Sequence, residues 1–257
     1  MKGHVTLMSD SVNLVTVAVV IEVRMNSTRL PGKHLLECRD ESMISRLIRR
    51  IRAVPSVDKI IIATTDNKMD DVFQEIAKKE NVIVFRGSES DVMGRVLNAA
   101  LENGVDVICE VTGDCPLIDI DQTQNAIETF LQHDYDYVNN GLSGLPDGLA
   151  CQVFTTKALK ASYYSEISAL DREHVTSHMK RNPETFSSLY ISTPDELNWA
   201  ELSLSLDEPI DFEVLSEVIK ELEPINPLFG TLEIIQFFRH HPDVLQKNLK
   251  VYRRGFE

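Results

Sequence analysis

Apolar runs alternate with amphipathic segments along the first half of the chain. Residues 15–23 are almost continuously apolar, which is typical of a strand buried on both faces. Ile44, Leu47, Ile48 and Ile51 then recur at helical spacing between arginines, which indicates an amphipathic helix. Further strands are predicted at 59–64, 82–85 and 105–111, and further helices at 69–76, 91–101 and 120–131. This alternation predicts an α/β fold, with a Rossmann-like three-layer arrangement around a mixed, mostly parallel sheet.

The pattern becomes less regular after residue 134. Short strands are predicted at 135–138, 151–154, 187–191 and 202–206, and helices at 156–164, 172–181, 212–222 and 232–239. The loop 139–148 holds three glycines and a proline, which suggests a substrate loop. We predict a single domain over 15–257, in which 134–205 contributes an acceptor-binding and dimerisation lobe. A flexible extension, 1–14, is expected to precede it.

Composition and charge limit the partners and the compartment that are expected for this chain. The chain has 257 residues and a net charge of −14, so polyanions such as nucleic acid and anionic membranes are disfavoured. Hydrophobic residues make up 43%, as in ordinary globular proteins, and no run approaches the roughly 20 apolar residues that span a bilayer. The four cysteines form no Cys-x-x-Cys pair, which favours free thiols in a reducing compartment. With no secretory signal recognisable at the start, a cytoplasmic protein is expected.

The segment from Arg24 to Lys33, RMNSTRLPGK, follows directly on the first predicted strand. Such a turn offers backbone N–H groups, the Ser27 hydroxyl and the cations Arg24, Arg29 and Lys33 in one place, which is a setting for phosphate. The alternative is that arginines after a strand are simply solvated. We therefore predict a nucleotide site at this turn.

Two aspartates are candidates for the same site. Asp114 ends the fourth predicted strand, and the ligands of parallel sheets lie beyond the carboxyl ends of the strands, so Gly113-Asp114 and the Arg24–Lys33 turn are expected to share a crevice. Asp207 follows the alternating segment 202–206. Taken alone, Asp114 could instead cap the turn before Pro116, and Asp207 could cap the helix after Pro209.

Seven segments together resemble the cytidylyltransferases that activate acidic sugars, the synthetases of CMP-sialic acid and CMP-3-deoxy-manno-octulosonate. They match most closely the branch named for spore coat polysaccharide biosynthesis protein F. The turn above is followed in order by FRGS at 85–88, DVMGR at 91–95, GDCPLI at 113–118, PDGL at 146–149, REHVT at 172–176 and LDEPxDF at 206–212. The resemblance implies a nucleotide-diphospho-sugar transferase-like fold and transfer of CMP from CTP to a small acidic sugar-like acceptor. It also implies Mg²⁺ as the cofactor and a homodimer.

The resemblance also implies residue roles. Arg24, Lys33 and Asp114 would be catalytic, and Asp114 and Asp207 would bind Mg²⁺, an ion that prefers oxygen ligands. The nucleotide would be bound by Arg24, Ser27, Arg29, Lys33, Arg86, Gly87, Ser88, Asp91, Arg95 and Gly113. The acceptor would be bound by Asp147, Gly148, Gln152, Arg172, Glu173 and His174.

Alternatives remain open at several positions. Ser88 could cap a helix with Arg95 on its solvent face, and His174 could be a ligand contact, a dimer contact or a buried structural histidine. The chain also departs from its relatives: Ala150 and Gln152 replace two carboxylates, and Glu22 stands where glutamine is more usual. Two rival functions follow, a metal-dependent glycosyltransferase of the GT-A type, suggested by the Asp-x-Asp at 134–136, and an inactive nucleotide-binding relative.

Overall fold

A seven-stranded sheet forms the centre of the computed structural model, which describes residues 15–142 and 144–250. Its strands are β1 (Val17–Glu22), β4 (Lys59–Thr65), β5 (Ile83–Gly87), β6 (Val107–Thr112), β7 (Tyr137–Asn139), β8 (Gln152–Thr155) and β9 (Ser188–Tyr190); β2 (Glu37–Cys38) and β3 (Glu41–Ser42) form a small separate hairpin. The order is β5-β4-β1-β6-β8-β7-β9, and only β8 runs antiparallel to its neighbours. The predicted mixed, mostly parallel sheet is thus confirmed.

Helices cover both faces of this sheet. They are α1 (Met43–Arg52), α2 (Val72–Glu80), α3 (Val92–Glu102), α4 (Ile120–Gln132), α5 (Thr156–Tyr163), α6 (Ala169–Glu173), α7 (Ser177–Arg181), α8 (Pro209–Leu222), α9 (Thr231–His240) and α10 (Pro242–Leu249). The helices α1, α2 and α4 pack on one face, and α3, α5 and α7 on the other. Successive residues of β1 point to opposite faces, so both faces need apolar residues, and this explains the continuous apolar run.

A third apolar cluster lies apart from the sheet. Leu202, Leu204 and Leu206 are buried there against α8 and α9. The strand predicted at 202–206 was wrong, because this segment makes only an isolated bridge, between Ser203 and Asp147. Its alternating leucines are explained by burial against helices, whereas the alternate serines face Asp147.

Other boundaries also differ from the expectation. The helix predicted at 172–181 is two short helices, α6 and α7, separated at His174–Thr176. Helix α10 and the β2–β3 hairpin were not predicted. The expected extension, 1–14, lies outside the described residues. In the part of the chain that is described, no helix is both long and apolar enough to cross a membrane.

Candidate active site

The turn after β1 is fixed near its start by a hydrogen bond and is shaped near its end by a glycine. Near its start, the Met25 N–H donates to Asp70 Oδ1 at 2.7 Å. Near its end, Gly32 adopts a left-handed conformation, with φ +69°, and begins the 3-10 turn Lys33–Leu35. A side chain there would be strained, so glycine suits the position from which the chain turns inward. Lys33 is consequently only 7% exposed.

The second strand end approaches this turn closely. The Gly113 N–H donates to the Glu22 carbonyl at 2.8 Å, and a Cβ on Gly113 would lie 3.0 Å from that carbonyl oxygen. The buried His34 ring donates from Nδ1 to the Gly113 carbonyl at 3.0 Å. Burial, followed by the charge of Lys33, lowers the pKa of His34 to about 4, so the ring is neutral at pH 7. These contacts fix the backbone from which Asp114 projects.

Lys33 joins the two candidate aspartates. Its Nζ donates to Asp114 Oδ2 at 3.0 Å and to Asp207 Oδ1 at 2.8 Å. Arg29 reaches the same Asp207 oxygen at 3.0 Å. Burial alone would raise the pKa of Asp114, but Lys33 and the Thr112 hydroxyl outweigh it, and the net pKa is lowered. The carboxylate is therefore charged at neutral pH.

The Asp207 side chain does not cap the next helix, because Glu208 occupies the N-cap position. The N-cap of α8 is Glu208, which forms a capping box with Asp211. The Leu206 N–H donates to the Asp114 carbonyl at 2.8 Å, so the two aspartates are also joined through their backbones. The capping alternative for Asp207 is thus wrong.

These groups line a crevice of about 810 Å³. Ten of the residues expected at the site line it: Arg24, Ser27, Arg29, Lys33, Arg95, Gly113, Asp114, Glu173, His174 and Asp207. Arg95 is 4% exposed and donates to the Ser88 carbonyl at 2.6 Å, so the solvent-face alternative for Arg95 is wrong. The turn and both aspartates therefore meet around one cavity, as the strand-end argument predicts.

Other expected nucleotide-binding residues have protein partners. Arg86 donates to Asp71 and to the carbonyls of Thr65 and Asn67, and it does not line the crevice. Asp91 caps α3 through the Gly94 N–H at 3.0 Å. Ser88, which accepts from the Asp91 N–H, and Gly87, which ends β5, also lie outside the lining. Their contact with a nucleotide stays a prediction.

Of the expected acceptor-binding residues, Glu173 and His174 line the crevice, whereas the other four have contacts within the protein. Arg172 pairs with Asp91 at 3.2 Å and lies over the Tyr163 ring, and Gln152 Oε1 accepts from two hydroxyls. Asp147 accepts from Ser203 and Ser205 at 2.8 Å each, and Gly148 packs against the backbone of Leu204. Asp147 thus supports the segment that leads to Asp207, and direct acceptor contact stays a prediction.

Sequence reasoning missed several contributors. Neither Asp70 nor His34 was predicted to contribute to the site, yet each fixes one of the loops described above. Glu22 and Thr112 line the crevice from the ends of β1 and β6. A usable signal existed for Glu22, since a carboxylate is unusual at the end of an otherwise apolar strand.

The donor set fits a magnesium ion. Two carboxylate oxygens, from Asp114 and Asp207, lie within 3.0 Å of one ammonium nitrogen, so they converge on a point suited to a cation. Over residues 15–142 and 144–250, no group of three or more His, Cys, Asp or Glu is arranged to hold a metal. Mg²⁺ commonly takes one or two carboxylates and completes its shell with water and substrate phosphates. Two carboxylates beside a turn that carries Arg24, Arg29 and Lys33 meet that requirement.

Comparison with known proteins identifies the family. An uncharacterized protein of Methanocaldococcus jannaschii is 33% identical over 92% of this chain and 96% of its own length. Spore coat polysaccharide biosynthesis protein SpsF of Bacillus subtilis is 28% identical over 87% of this chain and 94% of its own. The solved structure of a cytidylyltransferase from Leptospira borgpetersenii superposes with a TM-score of 0.86, at 28% identity, covering 93% of this chain and all of that one.

The fold is also shared more widely. The structure of a CMP:2-keto-3-deoxy-manno-octonic acid synthetase complexed with CTP has a TM-score of 0.59, at 15% identity, covering 80% of this chain and 99% of that one. The sequence profile described as "Cytidylyltransferase" matches residues 18–226, which include the turn, Asp114 and Asp207. The chain therefore belongs to the cytidylyltransferase family and is a nucleotidyltransferase.

Proposed function

We propose that this protein transfers CMP from CTP to an acidic sugar or a related small acceptor, with release of pyrophosphate and with Mg²⁺ as cofactor. One observation carries the proposal: the Lys33 ammonium lies between Asp114 and Asp207 at the mouth of the turn that bears Arg24 and Arg29. Cations and paired carboxylates in one crevice are what a metal–triphosphate complex needs.

The turn would bind the triphosphate. Lys33 is buried, so its charge acts in a low-dielectric setting and is weakly screened. Arg24 and Arg29 are more exposed, and their forked guanidinium groups suit phosphate oxygens. Together with the turn amides, these cations would stabilise the charge that develops on the phosphoryl oxygens and on the departing pyrophosphate.

Asp114 and Asp207 would hold the metal. When bound, Mg²⁺ supplies a Lewis acid for the α-phosphate and a template for the attacking acceptor oxygen. In the free protein the two aspartates are paired with two cations, Lys33 and Arg29. Lys33 would turn from these ion pairs toward the phosphate oxygens when the nucleotide binds.

The base and the acceptor would both lie against the α3 and α6 walls of the crevice, beside the phosphates. Ser90, Val92 and Arg95 line the side formed by α3, where the resemblance expects cytosine. Glu173 and His174 line the side formed by α6, where it expects the acceptor. The backbone break between α6 and α7 places His174 at the crevice wall, which favours the ligand-contact alternative for this residue.

The glycosyltransferase alternative has less support. Asp136 accepts from the backbone and side chain of Ser187, at 3.0 and 2.9 Å, and neither Asp134 nor Asp136 lines the crevice. A role in surface polysaccharide or glycan synthesis is proposed from the name of the B. subtilis relative. The homodimer remains part of the proposal, with 134–205 as the expected contributing segment.

Incubation with CTP, Mg²⁺ and a panel of acidic sugars tests the function. Pyrophosphate release that requires both an acceptor and Mg²⁺, with a CMP-linked product by mass spectrometry, is expected. Release of a nucleoside diphosphate from a nucleotide-sugar would instead indicate a glycosyltransferase. CTP binding without turnover across the panel would indicate an inactive relative.

A further inference from the structure

A row of polar side chains interrupts the apolar core on the α3 side of the sheet. In the ladder, Glu110 of β6 is opposite Gln152 of β8, Gln152 is opposite Asn139 of β7, and Asn139 is opposite Tyr190 of β9. Residues directly opposite each other share one face of a sheet, so these four side chains form a single row. The row extends from β6 to the edge strand β9.

Most of this row is satisfied within the protein. Gln152 Oε1 accepts from the Tyr137 hydroxyl at 2.6 Å and from the Thr176 hydroxyl at 2.8 Å. The Asn139 amide donates to Tyr137 Oη at 2.7 Å. Glu110 is the exception, because it is 6% exposed and its Oε2 has no hydrogen-bond donor among the described residues. A buried carboxyl oxygen without a donor destabilises the folded state, so we expect a proton or a ligand at Glu110 Oε2.

Glu22 lies between this row and the crevice. Glu110 is opposite Val20, so Glu22, two residues further along β1, projects from the same face and lines the crevice. Its Oε1 is also buried, and no donor from the described part of the chain reaches it. Burial, followed by the charge of Glu110, raises the pKa of Glu22 well above 4.5, and burial raises the pKa of Glu110. A hydrogen bond to Glu110 also raises the pKa of Glu22, so the two carboxyl groups share one proton.

Over residues 15–142 and 144–250, neither Glu22 nor Glu110 forms a salt bridge. The charge of Arg95 acts on Glu22, and the charges of Lys180 and His174 act on Glu110, but burial lowers the pKa of both Arg95 and Lys180. Lys180 lies over the Tyr137 ring, with Nζ 5.7 Å from the ring centre. Arg172, expected to bind the acceptor, is paired with Asp91.

We propose that the acceptor carries a cationic amine and that the Glu22–Glu110 carboxyl pair binds it. This inference rests on the proposed function and specifies its acceptor. An ammonium offers three donors and a positive charge, whereas the pair offers two buried oxygens that lack donors. On binding, the shared proton leaves to solvent and the ammonium takes its place, forming charge-assisted hydrogen bonds to both carboxylates. A hydroxyl at the same position offers one neutral donor.

The test compares acceptor probes that differ only at the nitrogen. Glucosamine 1-phosphate is paired with glucose 1-phosphate, and 2-aminoethyl phosphate with 2-hydroxyethyl phosphate; binding to the full chain is measured by calorimetry. At least one ammonium probe is expected to bind about 10- to 100-fold more tightly than its hydroxyl twin, the range for a charge-assisted hydrogen bond. Equal binding within both pairs, or no binding by either ammonium probe, overturns the proposal.

Variants separate recognition from structure. Glu22→Gln and Glu110→Gln keep the shape of a protonated glutamate, and each is expected to reduce the preference for ammonium to less than about threefold. Glu102→Gln, on the exposed end of α3, is the matched control and should retain the full preference. A preference that survives in both crevice variants assigns the pair a purely structural role and overturns the inference.

CTP binding is measured separately on the same proteins. Wild type and Glu102→Gln are expected to bind CTP with Mg²⁺ equally, because Glu102 is exposed on α3 and lies outside the crevice lining. Loss of CTP binding in the wild type would contradict the proposed function. CTP binding and turnover with hydroxyl acceptors as efficient as with amines would contradict only this inference.

Discussion

Lys33 and Asp114 stand 81 residues apart in the chain, yet the Lys33 ammonium lies 3.0 Å from Asp114 Oδ2. The contact depends on two strand ends, β1 and β6, that are neighbours in the sheet. It also depends on Gly113, whose missing side chain allows the backbone of that loop to approach β1. The same ammonium reaches Asp207, so one buried cation organises two carboxylates from different parts of the fold.

Asp114→Asn tests the metal-binding role. The change keeps the shape of the side chain but removes a charge that Mg²⁺ requires, so turnover should fall on the order of 100-fold or more while CTP still binds weakly. Pyrophosphate release and CTP titration measure the two effects. Asp121→Asn, exposed in the first turn of α4, is the control. Near wild-type turnover in Asp114→Asn would remove Asp114 from the mechanism.

Lys33→Met separates phosphate binding from charge balance. Loss of the ammonium should raise the KM for CTP by about 10- to 100-fold, because a charge-assisted contact is lost. It also leaves Asp114 and Asp207 facing each other, so the melting temperature should fall in EDTA and rise again with Mg²⁺ more than in the wild type. Lys247→Met, which removes a more exposed ion pair, should show neither effect. A variant that Mg²⁺ does not stabilise would contradict convergence of the two aspartates on a metal.

His34 predicts a loss of stability in mild acid. Its folded pKa is about 4, below the ordinary value of 6.5, so unfolding takes up a proton in that window. The free energy of unfolding should therefore decrease as pH falls from about 6.5 toward 4, by roughly 3 kcal/mol at the lower end. Urea unfolding at several pH values measures this slope. His34→Gln should flatten it, whereas His240→Gln, at an exposed position, should leave it unchanged. An unaltered slope in His34→Gln would assign the acid sensitivity elsewhere.

Glu22 predicts the opposite trend at higher pH. Because its folded pKa is raised above the ordinary 4.5, the folded state keeps a proton that the unfolded chain has lost. The free energy of unfolding should therefore fall as pH rises from 4.5 through the folded pKa. Glu22→Gln removes this cost and should be more stable than wild type at pH 8, by about 1 kcal/mol or more. Thermal melts at pH 5 and pH 8 measure the difference, with Glu102→Gln as the control. Greater instability of Glu22→Gln at pH 8 would contradict a shared proton.

The two interpretations of Asp207 show where sequence reasoning stops. From the sequence alone, a helix cap and a metal ligand were comparable, because both roles suit an aspartate before Pro209. The structure distinguishes them, since Glu208 and Asp211 cap α8 and Asp207 contacts Lys33. Asp147 is the reverse case: its motif suggested acceptor binding, and its contacts are the hydroxyls of Ser203 and Ser205.

The sheet-centred α/β class, the cationic turn after β1 and the family could all be predicted from the sequence, because hydrophobic periodicity and contiguous motifs are local properties of the chain. Which charged groups meet became evident from the folded chain. Strand order and register bring distant residues onto one face of the sheet. They decide that Lys33 contacts Asp207, that Arg172 is paired with Asp91, and that Glu22 adjoins Glu110. Those non-local pairings leave no periodic trace in the sequence, since each residue carries the same charge whether or not its partner lies beside it.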